Sequence, residues 1–308
     1  MPNWGQVFQE IQAETGRGVF LSQAAMSTVR RKYLMLLHQN TGRNIIAYYS
    51  GFLSKPLLRA DINDEDKNGF MMAVHGLDRT KGLDLILHTP GGGIAATQSI
   101  IGYLQKMFKD DIRALVPQIA MSAGTIMACC CKEILMSEKH ANLGPIDPHL
   151  DGFPAYGVIQ EFKRAMRETK KDPSTIPIWQ SVIGQYYPTY LSQCENAIKG
   201  SNRFVTAQLR RVMFHKDPRA LNKARTIVRK LTDYSGNKGH DRHIEFDECK
   251  KIGLKVQSIE SNQQFQDLLL TVHHCYMHSL MNTPAFKVIE NQEGVAFIKQ
   301  QQPNAPSA

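Results

Sequence analysis

The sequence predicts an α/β protein built on a mainly parallel sheet with covering helices. Three observations carry that prediction. Between residues 82 and 136, short apolar runs alternate with helical patterns in the order strand, glycine turn, helix, strand, small-residue turn, helix, strand, the series that produces parallel sheets. The strand runs are nearly continuous in apolar residues, as in strands covered on both faces. The chain has 308 residues, 42% apolar and 21% charged; it is long enough for a large core and too apolar and varied for disorder.

The first forty residues read as helical. Trp4, Val7, Phe8 and Ile11 recur at helical spacing, and a second, basic segment over 29–38 carries Tyr33, Leu34, Leu36 and Leu37. Residues 44–49 predict a buried strand. The acidic stretch 61–69 invites a calcium-loop reading. It has Asp66 and Met72 at its sixth and twelfth positions, where such a loop needs glycine and glutamate, so an EF-hand is rejected. Residues 82–89 predict a strand that ends abruptly in Pro90, Gly91, Gly92 and Gly93, and Ile94, Ile100, Ile101 and Leu104 mark the helix that follows. A strand over 112–117, an apolar helix reaching Cys131 and a short strand over 133–136 come next. Residues 158–230 are mainly helical, interrupted by Pro173, Pro177 and Pro188. A strand signal returns over 252–256, a last helix is predicted over 262–281, and 300–308 reads as a disordered tail.

Charge and cysteines narrow the class. There is no run of about 18 apolar residues and no basic segment followed by an apolar stretch at the start, so neither a spanning helix nor a signal peptide is expected. Cys129, Cys130 and Cys131 are contiguous, while Cys194, Cys249 and Cys275 are scattered. That spacing does not describe a disulfide framework and points to the reducing cytosol. The net charge is +9. Much of the excess lies in 203–230, where nine basic residues face one acid, Asp217. Such a patch suits an acidic partner or a membrane surface. The plainer reading is a solvated helical face, and no nucleic-acid motif accompanies it.

Two strand-to-helix turns attract attention, because in open α/β sheets ligands bind at the carboxyl ends of the strands. Gly91, Gly92 and Gly93 let the backbone approach a ligand with free N–H groups. Ser122, among Ala120, Ala123 and Gly124, places a hydroxyl at the positive end of a helix dipole. Each has an ordinary reading too: the first as a simple turn, since no Gly-Lys-Ser/Thr follows, and Ser122 as a helix N-cap outside any Gly-x-Ser-x-Gly frame. Their pairing in one βαβ series is what favours a nucleophile with an oxyanion site.

The motifs Leu-His-Thr-Pro-Gly-Gly at 87–92, Ala-Met-Ser-Ala-Gly-Thr at 120–125 and Leu-Gly-Pro-Ile-Asp-Pro at 143–148 resemble the core of the Clp-protease and crotonase superfamily. Within it the chain is most similar to the serine dehydrogenase proteinase family of Clp-fold serine proteases, relatives of signal peptide peptidase A. Cys-Lys-Lys-Ile-Gly-Leu-Lys-Val at 249–256 resembles the element that closes such cores. The resemblance spans most of the chain. It implies a ClpP/crotonase-like parallel-sheet spiral core with a helical insertion and terminal helices, Ser122 as nucleophile, and the N–H groups of Gly92 and Ala123 as the oxyanion hole. It also implies a peptide or protein substrate laid beside 91–93, no cofactor, and a homo-oligomer of three subunits or a multiple.

The proton acceptor is where the chain departs from its relatives. Asp147 stands 25 residues after Ser122, where Clp proteases carry histidine. Signal peptide peptidases and archaeal membrane-associated relatives use lysine. In the latter it follows a proline, and here Pro154 is followed by Ala155. Lys163, two helical turns further on, is the first choice of base, with a surface lysine as the plainer reading. Asp147 and His240 are further candidates to act as base or to orient one, and His149 and His243 lie near them in sequence. His274 and His278 have a spacing that can chelate zinc, but no glutamate completes a motif. Histidines packed on an amphipathic helix explain them better, as buried small side chains explain Cys129–Cys131, and no metal is expected.

The expected organisation is N-terminal helices (1–43), a catalytic core (44–155 and 240–260), a helical insertion (156–239), a C-terminal helical segment (261–299) and the tail. The expected function is that of a cytosolic serine endopeptidase, with peripheral membrane contact through 203–230 as a variant of its location. Two alternatives stand beside it: a crotonase-like acyl-CoA enzyme using Asp147, and an inactive scaffold that binds peptides or a membrane partner.

Overall fold

A computed structural model describes residues 3–16, 22–233 and 239–301. Its centre is a seven-stranded sheet. β1 (Asn44–Ser50), β2 (Leu83–His88), β3 (Ile112–Val116) and β5 (Glu133–Met136) pair in parallel, and β10 (Val256–Ser258) extends the row beyond β5. On the other flank β11 (Ala285–Asn291) pairs antiparallel with β1, and β12 (Ala296–Gln300) antiparallel with β11.

Both faces of β1, β2 and β3 are largely buried, which is why those strands look mostly apolar. Successive residues point to opposite faces, so β1 sends Ile46 and Tyr48 into one core and Ile45, Ala47 and Tyr49 into the other. The first core is closed by α3 (Asp66–Val74), α4 (Ile94–Phe108), α5 (Ala123–Cys129), α9 (Ala220–Leu231) and α10 (Phe246–Ile252). The second is closed by α1 (Trp4–Thr15), α2 (Gln23–Thr41) and α11 (Gln263–Asn282). Of the segment 156–239 expected as an insertion, α6 (Ala155–Lys171), α7 (Ile176–Ile183) and the start of α8 (Tyr190–Gln208) lie around a small separate cluster containing Val158, Tyr190 and Cys194, whereas Val205 of α8 and all of α9's buried face belong to the first core. Among the described residues no helix is long and apolar enough to cross a membrane.

A second, three-stranded layer positions the site. β4 (Ile119–Ala120) pairs in parallel with β6 (Asn142–Leu143), which pairs antiparallel with β9 (Ile244–Glu245). A hairpin of β7 (His149–Leu150) and β8 (Phe153–Pro154) then leads into α6.

Two expectations need correction. The segment 249–256 is not one strand: α10 runs to Ile252, Gly253 at φ +108° terminates it, and the strand starts only at Val256. The segment 261–299 is not wholly helical, because α11 is followed by the β11–β12 pair. Those strands are hidden in the sequence by charge. β11 carries Lys287 and Glu290, both fully buried. Lys287 Nζ donates to Asp66 Oδ1 and Oδ2 at 2.8 and 2.9 Å, and Glu290 is held by Arg30, Arg31 and Tyr276. Of the predicted tail, Gln300 ends β12 and 302–308 lie outside the described residues.

Candidate active site

The two glycine- and alanine-rich turns meet because the main chain pairs just before them. Thr89 N–H donates to Ile119 O at 3.2 Å and Met121 N–H to Thr89 O at 3.0 Å, a parallel bridge between Thr89 and Ala120. Two residues further along each segment, Gly91 faces Ser122. A Cβ at Gly91 would lie 2.7 Å from Ser122 Cβ and 3.0 Å from Ala123 N. Only a glycine permits that approach, and its φ of +104° is one that side chains avoid.

Ser122 occupies the N-cap position of α5, yet its side chain caps nothing. Its backbone sits at φ +50°, ψ −115°, and its hydroxyl makes no hydrogen bond among the described residues. A non-glycine residue in that region stores roughly 1–3 kcal/mol of strain. A simple N-cap serine would instead adopt an extended backbone and bond the first turn.

The free donors beside Ser122 can be named. Ile62 N–H donates to Gly91 O at 2.8 Å, and Gly93 N–H donates to Ile62 O at 2.8 Å. In such a parallel bridge the N–H and C=O of the middle residue, Gly92, point away from Ile62. The N–H of Gly91 is taken by Thr89 Oγ1 at 3.2 Å. Gly92 N–H and Ala123 N–H, the latter in the first turn of α5, have no acceptor among the described residues. They are the two positions that the resemblance assigns to an oxyanion hole. Ile62 and Thr89 escaped sequence reasoning: neither carries reactive chemistry, and Ile62 acts only through its main chain.

A third residue, Thr125, ties this turn to the loop after β6. Its Oγ1 donates to Ala120 O at 2.8 Å and accepts from Gly144 N–H at 2.9 Å, all buried. β4 and β6 are parallel neighbours, with Ala120 opposite Leu143. Ser122 and Asp147 therefore leave the same end of adjacent strands.

Asp147 is brought together with two histidines. Its carboxylate is almost wholly buried; Oδ1 accepts from His240 Nδ1 at 2.8 Å, and Oδ2 lies 3.3 Å from His149 Nε2. The two rings stand 4.0 Å apart, centroid to centroid. Burial opposes ionisation of Asp147, but the adjacent imidazoles of His149 and His240 outweigh it and hold the carboxyl well below the usual range. Lys163 does not join this group. It is exposed on α6 beside Gln160, Glu161, Arg164 and Arg167 and lacks the burial that a lysine base requires.

The helical histidines and the cysteines singled out from the sequence are packing residues. His278 Nε2 contacts Trp4 O at 3.1 Å, His273 Nδ1 contacts Tyr49 Oη at 3.2 Å, and the His274 ring packs edge-on against Trp4. The six cysteines are buried as free thiols, and burial pushes Cys129 up to about 12. In 203–230 the basic residues alternate with buried positions such as Val205, Leu209, Ile227 and Val228. Arg211 pairs with Asp110 and Lys223 with Asp217, as on a solvated helical face.

Residues 20–289 match the family described as ClpP-like SDH-type serine proteinase. The chain belongs to that family. Two curated relatives come from Methanocaldococcus jannaschii. Uncharacterized protein MJ0137 is 31% identical over 197 residues, 64% of this chain and 61% of the relative. Uncharacterized protein MJ1495 is 30% identical over 207 residues, 67% of this chain and 62% of the relative. The chain thus aligns with rather less than two thirds of the length of either. Membership of the ClpP-like SDH-type proteinases accords with the mostly parallel central sheet and gives the Ser122 turn its context.

Proposed function

We propose that the chain is a serine endopeptidase. The observation that carries the reading is the Ser122 turn: an unpartnered hydroxyl on a strained backbone at the start of α5, packed against a glycine turn, with Gly92 and Ala123 offering free N–H groups beside it. In this reading Ser122 Oγ attacks the scissile carbonyl and its proton passes to an imidazole. The tetrahedral oxyanion accepts from Gly92 N–H and Ala123 N–H, and collapse expels the amine, which takes the proton. Water then hydrolyses the acyl-enzyme by the same route.

His240 is the proton acceptor in this reading. Its Nδ1 faces the Asp147 carboxylate, which can only accept, so Nε2 is left with the lone pair. Asp147 is then a positioning residue, and His240 replaces Lys163 as the preferred base. The extended substrate has one open edge beside 91–93, because Ile62 holds the other.

The test is intact-mass spectrometry after incubation with a fluorophosphonate, in which Ser122 Oγ bonds to phosphorus and fluoride leaves. One adduct on the wild type and none on Ser122→Ala supports an activated serine. Slow labelling of His240→Ala with normal labelling of Lys163→Ala supports the base. Absence of any adduct on folded wild-type protein overturns the reading.

A further inference from the structure

The Asp147 cluster has a second chemistry. Its three side chains come from two distant stretches: Asp147 and His149 between β6 and the start of β7, and His240 in the segment before β9. One ligand atom can be chosen from each side chain so that all lie within 4.8 Å of one another. The carboxylate is 3% exposed, and its Oδ2 is sealed from water without a well-directed hydrogen bond. The histidine side chains are 30% and 28% exposed, so the cluster is closed behind by protein and open in front to solvent. A buried acceptor facing two half-open imidazoles is an unusual use of polar groups unless something positive completes it.

We propose that Asp147, His149 and His240 bind one divalent transition-metal ion of the zinc class. Two imidazole nitrogens and one carboxylate oxygen form the three-ligand set of open zinc sites, with water in the fourth position. Zinc bonds of about 2.0–2.1 Å place tetrahedral ligand atoms about 3.3 Å apart. His240 Nδ1 stands 2.8 Å from one carboxylate oxygen and His149 Nε2 stands 3.3 Å from the other, so closure requires a turn of the carboxylate and a small movement of the partly exposed rings. Calcium and magnesium prefer all-oxygen cages and do not suit this set. The site deepens the proposed function, on which it rests only for its consequence: a neutral His240 that binds zinc through Nδ1 carries its ring proton on Nε2 and cannot accept the proton of Ser122, so zinc suppresses turnover.

The experiment titrates metal-stripped full-length protein with Zn2+ against a chromophoric chelator, on the wild type and on Ser122→Ala. Both are expected to take up one ion per chain. His149→Gln and His240→Gln, at half-exposed positions that tolerate change, are expected to weaken that binding by about a hundredfold or more. Co2+ added to the wild type provides a second readout, an intense visible spectrum of tetrahedral type that the two glutamine variants lose. Equal zinc uptake by the variants and the wild type overturns the site, as does a wild type that takes up no ion. Because Ser122→Ala keeps all three ligands, its zinc binding judges the site whatever the fluorophosphonate experiment says about Ser122. Loss of labelling in zinc-loaded wild type, restored by a chelator, tests the coupling.

Discussion

Ile62 and Gly92 are joined as a parallel bridge through the main chain, and a Cβ added to Gly92 would lie 2.3 Å from Ile62 N and 2.4 Å from Ile62 O. Gly92 sits at φ +150°, so both space and conformation require glycine. The bridge fixes which way the Gly92 N–H points, and with it one half of the proposed oxyanion site. Gly92→Ala should therefore displace the turn without touching Ser122. Loss of one such donor costs about 10²–10³ in rate, and fluorophosphonate labelling rates on the folded variant measure it.

The 61–66 loop that carries Ile62 is held by a buried ion pair. Lys287 Nζ donates to Asp61 O at 2.6 Å as well as to Asp66, whose Oδ2 also accepts from Tyr48 Oη at 2.8 Å and from Asn63 N–H at 3.0 Å. Lys287→Met leaves Asp66 as an uncompensated buried charge and should cost about 3–5 kcal/mol. Pairing it with Asp66→Asn should recover much of that loss, which urea unfolding of the single and double variants will show. Labelling of Ser122 should fall in the single variant, because the loop beneath Ile62 loosens.

Ser122 pays for its position in backbone strain. Ser122→Gly should be more stable than Ser122→Ala by about 1 kcal/mol, since glycine adopts φ +50° without a Cβ penalty. On the proposed function, neither variant should react with a fluorophosphonate. Thermal melts decide the order, and equal melting temperatures would remove the strain argument.

Thr125 should behave as a positioning residue. Thr125→Val keeps shape but removes the group that links Ala120 O and Gly144 N–H, leaving buried partners unsatisfied at a cost of about 1–3 kcal/mol. Slower Ser122 labelling with unchanged pH dependence is the expected signature, read from a pH series of labelling rates.

Acid stability should be governed by buried histidines at the far side of β2. Burial drives His88 down to about 3, and burial with the charge of His278 drives His274 to about 4. The unfolded chain binds their protons near pH 6.5. Between those values the unfolded state carries more protons, so stability is complete above about pH 6.5 and is lost as pH falls. His88 alone should cost about 2–3 kcal/mol by pH 4.5, and His88→Asn should flatten the pH dependence of urea midpoints across that window.

Much of this was legible in the residues themselves. The βαβ series showed because β1, β2 and β3 are buried on both faces and so are mostly apolar, with only isolated polar residues such as Asp84 and Arg113. The glycine turn showed because the close approach of Gly91 to Ser122 and of Gly92 to Ile62 leaves no room for a side chain. The strands β11 and β12 did not, because Lys287 and Glu290 interrupt the pattern and their partners, Asp66 and Arg30, lie over 200 residues away in sequence.

By itself, then, the sequence determined the parallel core, the order of its elements and the serine beside a glycine turn, since each depends on local periodicity or on the size of a side chain. Only the tertiary structure shows why Gly92 keeps a free N–H, because Thr89 Oγ1 takes that of Gly91 and Ile62 O that of Gly93. It alone joined Asp147 to His240, 93 residues apart, and left Lys163 on the surface. Such contacts are made by chain closure between distant segments, and no local pattern encodes them.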